Sequence, residues 1–367
     1  MGCLLGAPSW VDPLPLSLRS LIHTVGINIV HVLLNQDPMS FNPEILPLAI
    51  CGLGRFASRR IIPAISMCHN VELVAVVDRS MKDIPLASNI QRFKSLEDLL
   101  DTHPTGAVYI STPNYLHARQ AMQCLEAGLH VLCEKPMATN SSDCQAMVKV
   151  AQYLKLHLRI GHMLRYSPAL QLTRSWLQNG IVGTPRAICT FFHYDLPEKN
   201  RPWAFRQDSA GGGALMDAGI HCIDAIRFLV GDPVISLGAM TDPTPEGSVE
   251  RSAVCRFTAA SVNCFLQVCS QAPYWSRLSI SGTDGVIVIE NFAACWGMVT
   301  VKFCARRPGH ALHKVKEEIV DVSATYSEQI QDFADRVARS EVSFSAALDA
   351  AENVRIVEEL YAIGHCL

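Results

Sequence analysis

No Cys-x-x-Cys pair occurs among the 14 cysteines of this 367-residue chain. That spacing is what a zinc ribbon or a thioredoxin-like redox motif requires, so both are excluded, and no metal site is expected. Charge is sparse: 18% of residues are charged and the formal net charge is -3. There is no basic run and no basic face rich in aromatics, so nucleic-acid binding has no electrostatic footprint. A bilayer-length apolar run is also missing. The stretch Leu21–Leu34 is interrupted by His23, Asn28 and His31 and falls short of the roughly 20 residues a membrane helix needs. No small-x-small cleavage site follows it, as a signal peptide would require. The start Met1-Gly2-Cys3-Leu4-Leu5-Gly6 lacks the Ser or Thr that a myristoylation signal prefers at position 6.

What is present is ordinary globular material, 49% apolar, with a length that suggests about two domains. Cys51, Cys133 and Cys264 sit inside apolar runs, where a reduced thiol behaves as a small hydrophobe. Scattered reduced thiols point to a cytoplasmic protein. Residues 1–44 carry Pro8, Pro13, Pro15, Pro38 and Pro43 and show no periodic pattern. We expect them to be a disordered extension outside the fold, dispensable or mis-started; a targeting segment and a structured arm are the alternatives.

Regular alternation begins at Leu46. Strands are expected at Leu46–Cys51, Val71–Val77, Ala107–Ser111, Leu129–Cys133 and Leu156–Gly161. Helices are expected over Phe56–Cys68, Ser95–Leu100, Tyr115–Ala127 and Asn140–Lys155. Strands alternating with helices imply right-handed βαβ units and a doubly wound parallel sheet, so residues 45–163 read as a Rossmann domain. Residues 164–367 change texture. A helix over Ala169–Asn179 precedes strand-like segments at Arg186–His193, Val249–Phe257, Ser261–Cys269, Arg277–Ser281, Val286–Glu290 and Val299–Phe303. The Gly282-Thr283-Asp284-Gly285 turn reads as a hairpin connection, and helices over Ser327–Ser340 and Ser345–Gly364 close the chain. This is an α+β domain with an open, mostly antiparallel sheet.

Three segments carry chemistry. Gly52-x-Gly54-x-x-Ala57 follows a strand and opens a helix, with Arg55 and Phe56 inside it. The first glycine permits a tight turn, the second lets a pyrophosphate approach the backbone, and a small third residue allows close helix–strand packing. The next strand ends in Asp78, where a carboxylate accepts hydrogen bonds from ribose hydroxyls and repels a 2′-phosphate; this favours NAD. Arg79 beside it could pair with that phosphate, which keeps NADP open. The plain alternative for Asp78 is a strand-end turn residue.

Glu134-Lys135-Pro136 follows the Leu129–Cys133 strand. Ligands of open α/β sheets bind beyond the carboxyl ends of strands, so Lys135 projects towards the nicotinamide crevice, where an ammonium can polarise or protonate an oxygen. A solvated loop lysine is the plain alternative. In the block Gly211–Asp224, Asp217 and His221 stand four residues apart and share a helix face. Three glycines before them, Gly211–Gly213, imply backbone passing close to a ligand or a strand. A carboxylate and an imidazole on one face suit hydroxyl binding and proton transfer, although such a pair is more often structural; Asp224, deeper in an apolar helix, fits that structural role better.

With Ser111-Thr112-Pro113-Asn114-x-x-His117 and Gly161–Ser167 added, five segments in order resemble the glucose–fructose oxidoreductase / inositol dehydrogenase family, Gfo/Idh/MocA, from about Leu46 to the C-terminus. The resemblance implies that Lys135, Asp217 and His221 surround a reacting carbinol, with His221 as acid/base and Lys135 as polarising cation, or the reverse. It implies that Ser111, Thr112, Pro113, Asn114 and His117 line the cofactor, that Glu134 approaches the nicotinamide ribose, and that Arg165 lies near the active site. It implies NAD(P)-dependent hydride transfer on a secondary alcohol or ketone of a sugar, sugar derivative or inositol, and an open sheet used for homodimer or homotetramer contacts. Two rivals share the fold: an NAD-dependent glycosidase with transient oxidation, and a non-catalytic NAD-sensing regulator. Arg165, Tyr166, Asp195, Trp203, Arg206 and Asp208 are candidates for substrate contacts; Arg165 and Arg206 are the ones suited to a phosphate or carboxylate. Against this stands the reading that at least one of them is a surface or interdomain charge.

Overall fold

A computed structural model describes residues 45–80, 84–102, 105–306 and 313–364. The expectations for residues 1–44 lie outside the described residues. The first sheet contains β1 (Leu46–Cys51), β2 (Val71–Val77), β3 (Gln91–Phe93), β4 (Ala107–Ile110), β5 (His130–Cys133) and β6 (Leu158–Ile160). Its order is β3-β2-β1-β4-β5-β6 and every pairing is parallel. That is the doubly wound order whose crevice opens where strand order reverses, between β1 and β4.

The strands are apolar on both faces because helices cover both. On β1, Leu48 and Ile50 face one side with Ala57, Ile61 and Ile65 of the first helical segment. Ala49 and Cys51 face the other, with the helices α3 (Asn114–Glu126) and α4 (Ser141–Leu154). The segment expected to be one helix from Phe56 starts with a π-helical stretch, Ala57–Ile61, and runs into α1 (Ile62–Ile65). Helix α2 (Leu96–Thr102) has a reciprocal N-terminal cap, with Ser95 Oγ accepting from Asp98 N (3.1 Å) and Asp98 Oδ2 accepting from Ser95 N (3.2 Å). The start of α4 is fixed by Asn140, whose side chain accepts from Asp143 N at 2.8 Å, and its end by Lys155 in a left-handed conformation.

The second sheet holds β7 (Pro185–Asp195), β8 (Val234–Thr241), β9 (Ser252–Ala259), β10 (Val262–Cys269), β11 (Gln271–Gly282), β12 (Gly285–Glu290), β13 (Met298–Ala305) and β14 (His313–Asp321), in the order β14-β13-β12-β11-β7-β10-β9-β8. All pairings are antiparallel except β7 with β10. Burial alternates along β9, β10 and β12. One face packs on α5 (Pro168–Gln178), on α7 (Ile220–Val230), which follows the short α6 (Gln207–Ala210), and on α9 (Ser345–Ile363), while Ile235, Leu237, Val254 and Phe265 stay exposed on the other. Helix α8 (Thr325–Ala338) comes from the second half of the chain, yet its Ile330, Phe333 and Ala334 pack with Leu48 and Ile50 of the first sheet. The site thus forms where two sheets share elements.

Candidate active site at the carboxyl edge of the parallel sheet

The turn after β1 is shaped as a nucleotide turn requires. Gly52 has φ +100°, and a Cβ there would meet the Ser111 backbone at 2.8 Å, so only glycine fits. Ser111 Oγ donates to the Gly52 carbonyl at 2.8 Å, tying this turn to the end of β4. At Gly54, no heavy atom of the described residues beyond its chain neighbours lies within 4 Å of where a Cβ would stand. That open space, at the start of a helix whose first N–H groups lack intrahelical acceptors, suits a pyrophosphate. Ala57 is fully buried, as the packing role of the third position demands. Asp78 follows β2 at the crevice and accepts from Ser80 N and Oγ (3.0 and 2.7 Å); Arg79 is exposed next to it. Arg55 and Phe56 open the helix, and Phe56 stands edge-on to Tyr326 at 5.7 Å. These residues fit a bound dinucleotide.

Thr112, Asn114 and His117 are tied into protein contacts on the far wall. Thr112 Oγ1 donates to Gln120, Asn114 Nδ2 donates to the Ala210 carbonyl at 2.9 Å, and Pro113 is the residue before α3. The buried His117 ring bridges the carbonyl oxygens of Thr112 and Pro136 at 2.9 and 2.8 Å. It braces the loop after β4 against the loop after β5, so the first motif acts on the cleft partly by positioning the second. Glu134 is buried and accepts from the Tyr109 hydroxyl; burial pushes its carboxyl up, and that hydrogen bond and Lys135 pull it down by less.

Lys135 leaves the end of β5 and meets the glycine-rich block. Its Nζ donates to Asp217 Oδ1 at 2.8 Å and to the Asp217 carbonyl at 2.9 Å. An ammonium has three N–H donors, so one remains for a ligand oxygen. Asp217 lies in a π-helical turn, Leu215–Gly219, and His221 in the first turn of α7. Asp217 Oδ2 accepts from the Tyr194 hydroxyl at 2.8 Å and from Arg201 Nη2 at 3.0 Å. Burial would raise its carboxyl, but Lys135, Arg201 and these hydrogen bonds outweigh that and hold it far below the usual carboxylate range. His221 is 6% exposed. Burial, then the Lys135 charge, lower its pKa well below the ordinary value, so its imidazole is neutral at neutral pH. Its ring makes no hydrogen bond among the described residues, which leaves it free to take a proton.

The three glycines before this pair approach protein, and the partner lies just before a strand. A Cβ on Gly213 would collide with the Glu250 carbonyl at 1.9 Å, and one on Gly211 with the Thr139 backbone at 2.7 Å. Glu250 accepts from Gly213 N and Leu215 N, both at 2.9 Å, and from the Tyr361 hydroxyl at 2.7 Å. This carboxylate, ahead of β9, anchors the turn that presents Asp217.

Asp224 lies one turn further along and is structural. It takes both Arg165 Nε (3.0 Å) and Nη2 (2.7 Å), and Asn353 Nδ2 at 2.8 Å, while Arg165 Nη1 reaches Asp349 at 2.9 Å. Every nitrogen of Arg165 is therefore engaged by a carboxylate within the fold. Burial opposes ionisation of Asp224, yet the neighbouring His162 and Arg165 draw its pKa down to about 2. Tyr166 donates to Asp332 at 2.7 Å. Arg206 and Asp208 pair with each other on the surface. Asp195 is exposed at the end of β7, and Trp203 is half-buried beside Arg201.

Sequence reasoning missed Tyr194, Arg201 and Glu250. Tyr194 and Arg201 belong to β7 and the loop after it, with no motif to mark them; the glycines at 211–213 were the one signal for Glu250.

A parallel sheet of this order, with an open glycine turn at the strand-order reversal, is a dinucleotide-binding architecture. A family described as "Oxidoreductase family, NAD-binding Rossmann fold" matches residues 46–162, and the GFO/IDH/MocA C-terminal domain matches residues 170–288. The chain belongs to the GFO/IDH/MocA oxidoreductase family. It is similar to a 1,5-anhydro-D-fructose reductase of Ensifer adhaerens, 30% identical over 54% of this chain and 60% of the relative. A dTDP-3,4-didehydro-2,6-dideoxy-alpha-D-glucose 3-reductase of Saccharopolyspora spinosa is 30% identical over 66% of this chain and 74% of the relative. The chain thus spans about three fifths of the first relative and three quarters of the second. Among solved structures, a 3-ketoreductase from Actinomadura kijaniata in complex with NADP and TDP-benzene has a TM-score of 0.79 at 22% identity, covering 87% of this chain and 98% of that one. That likeness is one of fold.

Proposed function

We propose that the protein is an NAD(P)-dependent oxidoreductase that interconverts a ring secondary alcohol and the corresponding ketone on a sugar or sugar derivative. The observation that carries this is the Lys135–Asp217 ion pair one helical turn from the neutral His221, whose ring makes no hydrogen bond among the described residues. Relatives named as reductases of anhydrofructose and of a dTDP-ketosugar point to a pyranose substrate.

The Gly52–Ala57 turn would hold the pyrophosphate of NAD(P), whose nicotinamide would supply the hydride acceptor or donor. Lys135, with its remaining N–H, holds and polarises the substrate oxygen. His221 takes the hydroxyl proton as the carbinol hydride leaves, and returns it in the reverse direction. Asp217 keeps Lys135 charged and aimed. Asp78 favours NAD by accepting from ribose hydroxyls. We also assign the exposed apolar face of the second sheet, with Ile235, Leu237, Val254 and Phe265, to contacts between copies of the chain. The free thiols suit a cytoplasmic setting.

The test is the purified full-length protein with NAD+ or NADP+ and a panel of pyranoses, and with the reduced cofactors and ketosugars, followed at the NADH absorbance band. Cofactor-dependent turnover of at least one sugar is expected. Tight cofactor binding with no turnover across the panel overturns the reading.

A further inference from the structure

Three aromatic rings run from the imidazole of His221 along the inner face of the second sheet. The Phe192 centroid lies 6.2 Å from the His221 ring and 6.2 Å from Tyr274, and Tyr274 lies 5.9 Å from Trp296. Side chains alternate faces along a strand. Phe192 pairs in register with Ser276, and Tyr274, in the irregular stretch of β11 before Trp275, reaches both the Phe192 ring and Ser276 Oγ, so Phe192 and Tyr274 lie on the same side. Trp275, between them, points the other way, onto Phe191 and His193. Trp296 belongs to the loop between β12 and β13. The Arg60 guanidinium, from the helix of the nucleotide turn, sits 4.6 Å from its ring centroid. The strip therefore starts at the proton-transfer residue and ends against the dinucleotide-binding half of the molecule.

Folding does not require this exposure. Tyr274 is 42% exposed and Trp296 50%. Large rings left half-open in a row, continuous with a reactive group, mark a ligand platform more than a random surface pattern. The strip is also amphipathic: the Tyr274 hydroxyl reaches Ser276 Oγ at 3.3 Å, and the Arg60 cation closes its far end. Flat rings with polar edges match the faces of a pyranose, which is apolar across its C–H bonds and polar around its rim. Three successive rings extend beyond what one sugar ring at His221 can cover.

We propose that Phe192, Tyr274 and Trp296 form a second subsite that binds a further pyranose ring linked to the sugar being oxidised or reduced. Resting on the proposed activity, this makes the preferred substrate a glycoside or oligosaccharide, with Trp296 the specificity-determining residue furthest from the chemistry.

The experiment compares the best monosaccharide from the panel with a disaccharide and a 4-nitrophenyl glycoside carrying that same sugar. Full-length wild type, Trp296→Ala and Tyr274→Ala are each assayed for turnover. Binding to the cofactor-loaded protein is measured in parallel by calorimetry. The wild type is expected to favour the disaccharide, and Trp296→Ala to raise its KM about tenfold, the loss of one good ring contact, while kcat/KM for the monosaccharide stays unchanged. Melting temperatures check that the variants fold; Tyr274→Phe, which keeps the ring, is expected to behave as wild type. Equal effects on monosaccharide and disaccharide, or a wild type that prefers the monosaccharide, overturn the subsite. A gain confined to the 4-nitrophenyl glycoside overturns its assignment to a sugar. If the disaccharide binds in a Trp296-dependent way without turnover, the subsite stands and the proposed reaction fails. Turnover of monosaccharides alone overturns the subsite and leaves the proposed reaction standing.

Discussion

Lys135 Nζ lies 2.8 Å from Asp217 Oδ1 across 82 residues of chain, and the same ammonium also holds the Asp217 backbone carbonyl. The two groups do not depend on each other equally. Without Lys135, Asp217 still has Arg201 and Tyr194. Without the Asp217 charge, two cations share a partly buried site with no counter-ion between them. Lys135→Met should therefore lose at least ~10²-fold in kcat, the usual scale of one positioned acid–base group, with little change in melting temperature. Asp217→Asn should lose activity and also about 1–3 kcal/mol of stability, below the cost of breaking a fully buried pair. Paired kinetics and denaturant titrations check both; near-normal turnover in Lys135→Met would remove the lysine from the mechanism.

Arg201 is one reason Asp217 stays ionised despite its burial. A depressed carboxyl pKa keeps the charged form down to low pH, so loss of a cation moves its protonation upward. Arg201→Gln should shift the acid limb of the kcat/KM–pH profile to higher pH and leave the alkaline limb in place. Tyr194→Phe, which removes one hydrogen bond and no charge, should produce a smaller shift in the same direction. A profile for Arg201→Gln that superimposes on wild type would show that Asp217 does not limit activity in acid.

Five strands of the parallel sheet were legible because short apolar runs alternate with amphipathic stretches, the glycine turn after β1 and the valine-rich β2 being the clearest traces; the three-residue β3, Gln91–Phe93, left none. Lys135 and the Asp217–His221 pair were legible because short motifs mark strand ends and helix starts. Tyr194 and Arg201 left no such trace, and Glu250 left only the glycines that its close approach requires. Their roles depend on β7 and the segment before β9 being carried across the glycine block, which only tertiary packing decides. Strand β8 was missed because its alternation is broken at Gly238, which has φ +146°. Strand β14 reads HKVKEEIVD and looks like a solvated segment; its charges suit the edge of a sheet. Arg165 shows the limit of residue type as a guide, since a basic residue near the site is spent on Asp224 and Asp349.

The two glycines of the nucleotide turn should fail differently. Gly52→Ala places a Cβ 2.8 Å from the Ser111 backbone at a positive φ, so it should lower stability and cofactor binding together. Gly54→Ala adds a methyl that, among the described residues, meets no protein atom within 4 Å beyond its chain neighbours. It should fold as wild type and lose affinity for NAD(H) by tenfold or more, because the added methyl occupies space a pyrophosphate needs. Melting curves with and without cofactor separate the cases. Unchanged cofactor affinity in Gly54→Ala would place the dinucleotide elsewhere.

Three histidines away from the proton-transfer group should set the acid stability of the fold. Burial, the largest cause, lowers His130, His157 and His162 from 6.5 to about 4, and neighbouring positive charge adds to it. At His162 the Asp224 carboxylate opposes the shift without cancelling it. The His130 and His157 rings stack edge-on at 5.0 Å, and a charge on His157 disfavours a proton on His130. Among the described residues, His157 Nε2 and His162 Nδ1 have no hydrogen-bond partner in their buried settings. All three are neutral in the native state, whereas the unfolded chain takes up protons on them below about 6.5. The unfolded state then binds more protons, and stability falls as pH drops. Their contribution is complete above pH 6.5 and is lost progressively towards pH 4. Urea midpoints measured between about pH 7.5 and 4.5 should decline over that window, and His130→Gln, which cannot take up a proton, should flatten the decline without abolishing it, because His117, His193 and His221 are lowered as well. A midpoint independent of pH from about 7.5 to 5 would mean that these imidazoles titrate alike in the folded and unfolded chain.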